Sequence, residues 1–124
     1  MLSMKSKMSD ETRLMHIMEC IQEIEAAIIG LDKDSFCHNH IIRTAVVKWI
    51  EIIGEAANYI SNEGKDKYVN VEWRKIIGLR NIIVHEYFGV NYEIIWEIAT
   101  TFAVELKKDL TTINLDLNDN FLTN

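Results

Sequence analysis

Apolar residues recur at three- and four-residue spacing along most of this chain, and strand-like alternation is hard to find. The first run, Leu14, Ile17/Met18, Ile21, Ile24 and Ile28, predicts a helix that opens near Ser9 or Asp10 and ends at Gly30. Glu11 favours the positive end of that helix. Leu31 to Ser35 are expected to form a connection. A second helix is predicted from about Ser35 or Phe36 to about Asn62. Ile42, Ala45/Val46, Trp49, Ile53, Ala56 and Ile60 make its apolar stripe, and Thr44, Lys48, Glu51, Glu55, Asn58 and Asn62 its polar one. A polar loop, Glu63 to Asn70, follows and contains Gly64. The third helix is expected to begin near Val71 or Trp73 and to be broken by Gly89. Asn91 then caps a fourth that buries Tyr92, Ile95/Trp96, Ala99, Phe102/Ala103, Leu106 and Leu110. The expected fold is all-α, an up-and-down bundle of four to five helices forming a single domain over residues 9–110. Periodicity is lost from Thr111 onward, so residues 111–124 read as a polar tail whose end frays.

Composition narrows the function classes. The chain has 124 residues, 48% of them hydrophobic and 26% charged, which suits one soluble core. No stretch approaches the ~18 unbroken apolar residues of a membrane span. Met1 to Met8 lack the apolar centre of a secretory signal, so a cytoplasmic protein with no membrane partner is expected. Met1, Met4 and Met8 leave the native start open. Cys20 and Cys37 fit reduced thiols. A net charge of −6 argues against a broad nucleic-acid-coating surface, but not against a local site that grips a few phosphates.

The third predicted helix carries the chemistry. Arg80, Asn81, His85 and Tyr87 interrupt a largely apolar run, Gly78 to Tyr87, where polar groups need partners or a cleft. With Arg80 as the origin of a helical wheel, Arg74, Gly78, Asn81 and His85 fall between about 100° and 160°. Asn81 and His85 form an i,i+4 pair in which the amide can orient the imidazole. Arg80 and Tyr87 share another face, and Ile76, Leu79, Ile82 and Ile83 are expected to face the core. An imidazole that moves a proton beside a guanidinium that holds a phosphate is one reading. The other is structural: Arg80 pairs with Glu51 or Glu55, and His85 is a satisfied core or interface residue. Ideal geometry sets Arg80 and His85 about 140° apart, so joint action needs a curled arginine or a second chain.

Cys37-His38-Asn39-His40 looks like a metal cluster, but it sits at a helix start without a second ligand group, and loop and first-turn chemistry is the expected role; no metal is expected. His16 reads as a surface residue, and Trp49, Trp73 and Trp96 as core or interface residues.

Arg80-Asn81-Ile82-Ile83-Val84-His85-Glu86-Tyr87 resembles the R-x4-H-x-Y signature of the HepT-like toxins, members of the HEPN group of helical ribonucleases. Ala45 to Ser61, with Ile53-Gly54-Glu55-Ala56 inside it, Trp73 to Leu79, Tyr87 to Val90 and Ile94-Ile95-Trp96 follow the family's order and spacing. The resemblance spans roughly Glu11 to Leu110. Val71-Glu72 stands where the family often has proline before the tryptophan, and Asn91 where it often has aspartate. Neither departure touches the motif.

The resemblance implies a HEPN-type bundle and the toxin of a type VII toxin–antitoxin system, a metal-independent endoribonuclease acting on RNA. Carried onto this chain, Arg80 and His85 would be catalytic, Asn81 would orient them, and Tyr87 would accept AMP. The AMP would come from ATP through an MntA-type nucleotidyltransferase antitoxin, with no other cofactor. A homodimer would bring two motifs to one cleft. The alternative is a non-catalytic module that only binds a nucleotidyltransferase partner, and an inert helical bundle also stays open.

Overall fold

The computed structural model describes residues 9–84 and 89–112, leaving aside the side chain of Val84. Its architecture is all-α, with no strand among the described residues. Helix α1 spans Asp10–Ile28, α2 Lys33–His38, α3 His40–Asn58, α4 Asn62–Lys67, α5 Trp73–Val84 and α6 Tyr92–Glu97. A π-helical turn, Ile98–Phe102, continues α6 into α7 over 103–112. α3 is central, packing on α1 along one side and on α5 along the other. No helix among the described residues is long and apolar enough to cross a membrane.

Helix α1 begins as its sequence dictates. The Ser9 hydroxyl accepts from Thr12 N at 3.1 Å, acidic Asp10 and Glu11 occupy the first turn, and Gly30 follows the end at φ +79°. Leu14, Ile17, Ile21 and Ile24 are buried on α3, with Val46, Ile50 and Ala57 opposite. Lys107 Nζ donates to Glu25 Oε2 at 2.9 Å, tying α7 across α1.

Two expectations fail at the ends of α3. The predicted long second helix is split at Asn39, whose side chain accepts from Ile42 N at 3.0 Å and starts a new helix there. Residues 33–35, expected in the connection, instead open α2, which runs to His38 from an Asp32/Ser35 capping box. Mutual hydrogen bonds with the backbone and side chain of Ser35 hold the Asp32 carboxyl below its ordinary pKa. Tertiary contacts explain the corner. Phe36 is fully buried with its ring 5.2 Å from Trp96, and the Arg43 guanidinium lies 4.1 Å over the Tyr92 ring while donating to the Cys37 carbonyl.

At the other end α3 stops at Asn58, and the predicted polar loop contains α4, capped by Ser61 through Gly64 N at 2.9 Å. Asp10 secures this corner: Oδ1 accepts from Ser61 N at 2.9 Å and Oδ2 from Ser61 Oγ at 2.5 Å. A Cβ on Gly64 would collide with Asp10 Oδ2 and stand 3.0 Å from Ile60 Cγ2. Gly64 is therefore the residue that lets the first turn of α1 reach the cap of α4. We expect Gly64→Ala to cost about 1–3 kcal/mol in urea unfolding through forced repacking. Asp10→Ala should cost about 1 kcal/mol for the lost hydrogen bonds. Together they should cost less than their sum, because removing the carboxylate removes the main obstacle to the new methyl. Strict additivity would show that the two residues do not share this corner.

Candidate active site

Trp73, Ile76 and Leu79 anchor α5 in the core, and Trp73 Nε1 donates to the Tyr68 carbonyl at 3.1 Å. Ile83 packs at the core margin. Ile82 departs from expectation: it is 38% exposed, on the outward side next to Asn81. The helix is thus seated by a narrower stripe than its apolar content implies.

Arg80 is exposed, yet its aliphatic stem is in close contact with α3. The point of contact is Gly54, where a Cβ would lie 3.0 Å from Arg80 Cγ, 3.2 Å from the Ile76 carbonyl oxygen and 3.4 Å from Arg80 N. A bare backbone at 54 is what allows α5 to approach α3 here. The sequence left Glu55 open between a partner of Arg80 and a solvated residue; what the structure shows against Arg80 Cγ is its neighbour, Gly54. Its signal was a glycine in the middle of a helix, which costs about 1 kcal/mol unless packing requires it.

The guanidinium makes no ion pair with a described carboxylate. Glu51, one of the partners the structural reading named, sits 3.7 Å from Lys48 instead. An exposed arginine with no carboxylate partner among the described residues can offer its charge to an anion.

Arg74 and Asn81 are exposed, and nothing lies within 4 Å of a Cβ built on Gly78. Among the described residues, exposed Arg74 and Asn81 and half-buried Gly78 thus share one side of α5, as the wheel places them. It can receive a phosphate chain or another polypeptide at short range. His85 and Tyr87, the remaining residues of the motif, lie outside the described residues.

The Cys37–His40 segment is used locally. Asn39 caps α3, His38 Nδ1 meets the Asp34 carbonyl at 2.8 Å, and His40 Nδ1 meets Arg43 Nη2 at 2.9 Å. Both cysteines are free, and burial, followed by nearby Glu19 and Glu23, pushes the Cys20 thiol up. Cys20 is thus an inert core thiol.

Comparison with known proteins bears on the same segment. The family described as Ribonuclease HepT-like matches residues 17–113, which include all of α5 and the motif after it. The chain belongs to the HepT-like ribonuclease family. A candidate RNase of Methanocaldococcus jannaschii is 36% identical over 108 residues, covering 87% of this chain and 99% of the relative. A candidate RNase of Caldanaerobacter subterraneus subsp. tengcongensis is 36% identical over 100 residues, covering 81% and 89%. A candidate ribonuclease HepT of Thermococcus cleftensis is 32% identical over 101 residues, covering 82% and 92%. No solved structure gives a significant match.

For this HepT-like chain the Gly54 contact yields a direct expectation. Gly54→Ala should destabilise by about 1–3 kcal/mol in urea unfolding, because Ile76 O and Arg80 N are backbone atoms that cannot swing aside. Arg80→Ala should recover part of that loss by removing the Cγ contact, and an unchanged cost in the Arg80→Ala background would refute the packing described.

Proposed function

We propose that this protein is the endoribonuclease toxin of a toxin–antitoxin pair, cleaving RNA without a metal at a cleft between two copies of the chain. The observation that carries the reading is Arg80: an exposed guanidinium without a carboxylate partner among the described residues, inside the region matched to a ribonuclease family.

Cleavage proceeds by attack of the neighbouring 2′-hydroxyl on phosphorus, with departure of the 5′-oxygen and a 2′,3′-cyclic phosphate as product. The reaction needs a base at the 2′-hydroxyl, an acid at the leaving oxygen and a cation for the phosphorane. His85 supplies the proton transfer, Arg80 stabilises the anion, and Asn81 orients the imidazole from one turn away. One copy carries one motif histidine. A two-fold dimer carries two, so that base and acid come from different chains.

Tyr87 is the regulatory residue in this reading. A cognate nucleotidyltransferase of the MntA type transfers AMP from ATP to its phenol oxygen, with pyrophosphate leaving. The added phosphate and nucleoside fill the cleft with negative charge and bulk and repel RNA phosphates.

One observation favours a second reading. The net charge of −6 suits a module that binds a nucleotidyltransferase partner and cuts nothing. Cleavage assays separate the two. His85→Ala should lower RNA cleavage by about 10²–10⁴-fold, and Arg80→Ala by about 10²–10³-fold, with both variants losing growth arrest on expression. Full cleavage by purified His85→Ala protein would refute the catalytic assignment, and harmless wild-type expression with stable nucleotidyltransferase binding would favour the module. Intact-mass spectrometry after incubation with the nucleotidyltransferase and ATP should show adenylyl additions that Tyr87→Phe abolishes.

A further inference from the structure

A groove of about 440 Å³ runs between the first turns of α5 and the outer side of the continuous helix 92–112. Its floor is apolar: Ile76 from α5, and Ile94, Ile98, Phe102 and Leu106 from the long helix. The lining positions of that helix run from 94 to 109 in alternating steps of one and three, the spacing of a single helical face. At 1.5 Å per residue this face is about 22 Å long, room for about four turns of a docked helix. Ile76, Ile98 and Leu106 also belong to the core, so the accessible apolar surface of the groove comes mainly from Ile94 and the half-buried Phe102. Ile94 is 39% exposed in the groove.

The rim is acidic. Glu72, Glu97, Glu105 and Asp109 line it against a single cation, Lys75. That lysine is already paired with Glu72 at 3.1 Å, and Glu105 has Lys108 at 3.7 Å. Glu97 and Asp109 have no ion pair among the described residues.

We propose that this groove docks a basic amphipathic helix of a different protein. Its apolar face covers Ile94, Ile98 and Phe102, and its lysines or arginines meet Glu97, Glu105 and Asp109. Charge selects this occupant over the others. A second copy docked across a two-fold axis would set one acidic rim against its twin. Residues 113–124 carry Asp116 and Asp119 and no lysine or arginine, so the rim repels them. Residues 1–8 carry Lys5 and Lys7 among methionines, and the experiment separates that case.

The test uses the full chain and a fluorescein-labelled helical peptide of leucine and lysine, leucines along one face, titrated by fluorescence anisotropy. A glutamate-for-lysine peptide is the control. The lysine peptide should bind and the glutamate peptide should not. Glu97→Lys with Asp109→Lys should weaken binding about tenfold or more, as should Ile94→Asp on its own. Glu19→Lys with Glu23→Lys makes the same change in net charge on α1 and should leave the titration within about twofold. Circular dichroism checks that each variant is folded. Equal losses from the α1 and rim reversals, or no loss from the rim reversal, would overturn the proposal. So would wild-type self-association abolished by Ile94→Asp, which assigns the groove to a second copy. A gain in peptide affinity from Lys5→Glu with Lys7→Glu would assign it to the chain's own first residues.

Discussion

The approach of α5 to α3 at Gly54 is the constraint on which the candidate site depends. Helices normally pack 8–10 Å apart, with side chains setting the distance. At Gly54 the neighbours are backbone atoms of α5, Ile76 O and Arg80 N, together with the first carbons of the Arg80 side chain. This places Ile76 and Leu79 deep in the core and sets Arg80 Cγ against α3. The charged head is consequently displayed at the edge of the bundle, and Arg74, Gly78 and Asn81 are turned outward. A larger residue at 54 would alter the position of the whole helix and with it every group of the motif. Gly64 repeats the logic at the opposite corner, where a missing side chain admits the carboxylate of Asp10.

Much of this was legible beforehand because the signals were local. The Ser9 and Asn91 caps, the α1 stripe and the start of α5 follow from hydroxyl or amide caps and apolar spacing within a few residues. The residues that broke the predicted long helix were read differently because their role is tertiary. Asn39 ends α2 and caps α3 only because Phe36 inserts beside Trp96 and Arg43 stacks on Tyr92, almost fifty residues away in sequence. Ser61 and Gly64 likewise build α4 with help from Asp10 on α1. In the candidate site, the open face of Arg74, Gly78 and Asn81 could be read from a wheel. The Arg80–Gly54 contact could not, since the identity of an inter-helix neighbour is not encoded in the periodicity of either helix. Ile82 was placed in the core by the wheel together with Ile76, Leu79 and Ile83, and its exposure shows that a helix seated by a narrow contact spares some of its apolar residues.

The π-helical turn was equally invisible. Ile98–Phe102 closes with Ala103 N donating to the Ile98 carbonyl, and Thr100 Oγ1 donates to the Trp96 carbonyl at 2.7 Å just within it. Such a turn accommodates one extra residue and shifts the facing of everything that follows. Here Ile98 and Ala99 remain buried while Phe102 reaches the groove wall. The single helix can then serve the bundle with one stripe and present another outward.

In the two proposals charge divides the outer surface between two tasks. An acidic chain repels polyanions nearly everywhere, so RNA affinity in the proposed reading has to arise where cations outnumber carboxylates at close range. In that reading Arg74 and Arg80, exposed on two faces of α5, supply the cations, whereas the groove under Glu97 and Asp109 opposes it. RNA and a basic partner helix would therefore approach the same helix from different sides without competing for charge. Among the described residues the groove touches α5 through Lys75 and Ile76, in its first turn, with Glu72 just before it, while Arg80 and Asn81 lie in its last two turns. A movement of α5 as a body would carry an effect from the groove to Arg80 and Asn81, and the close contact at Gly54 resists that motion.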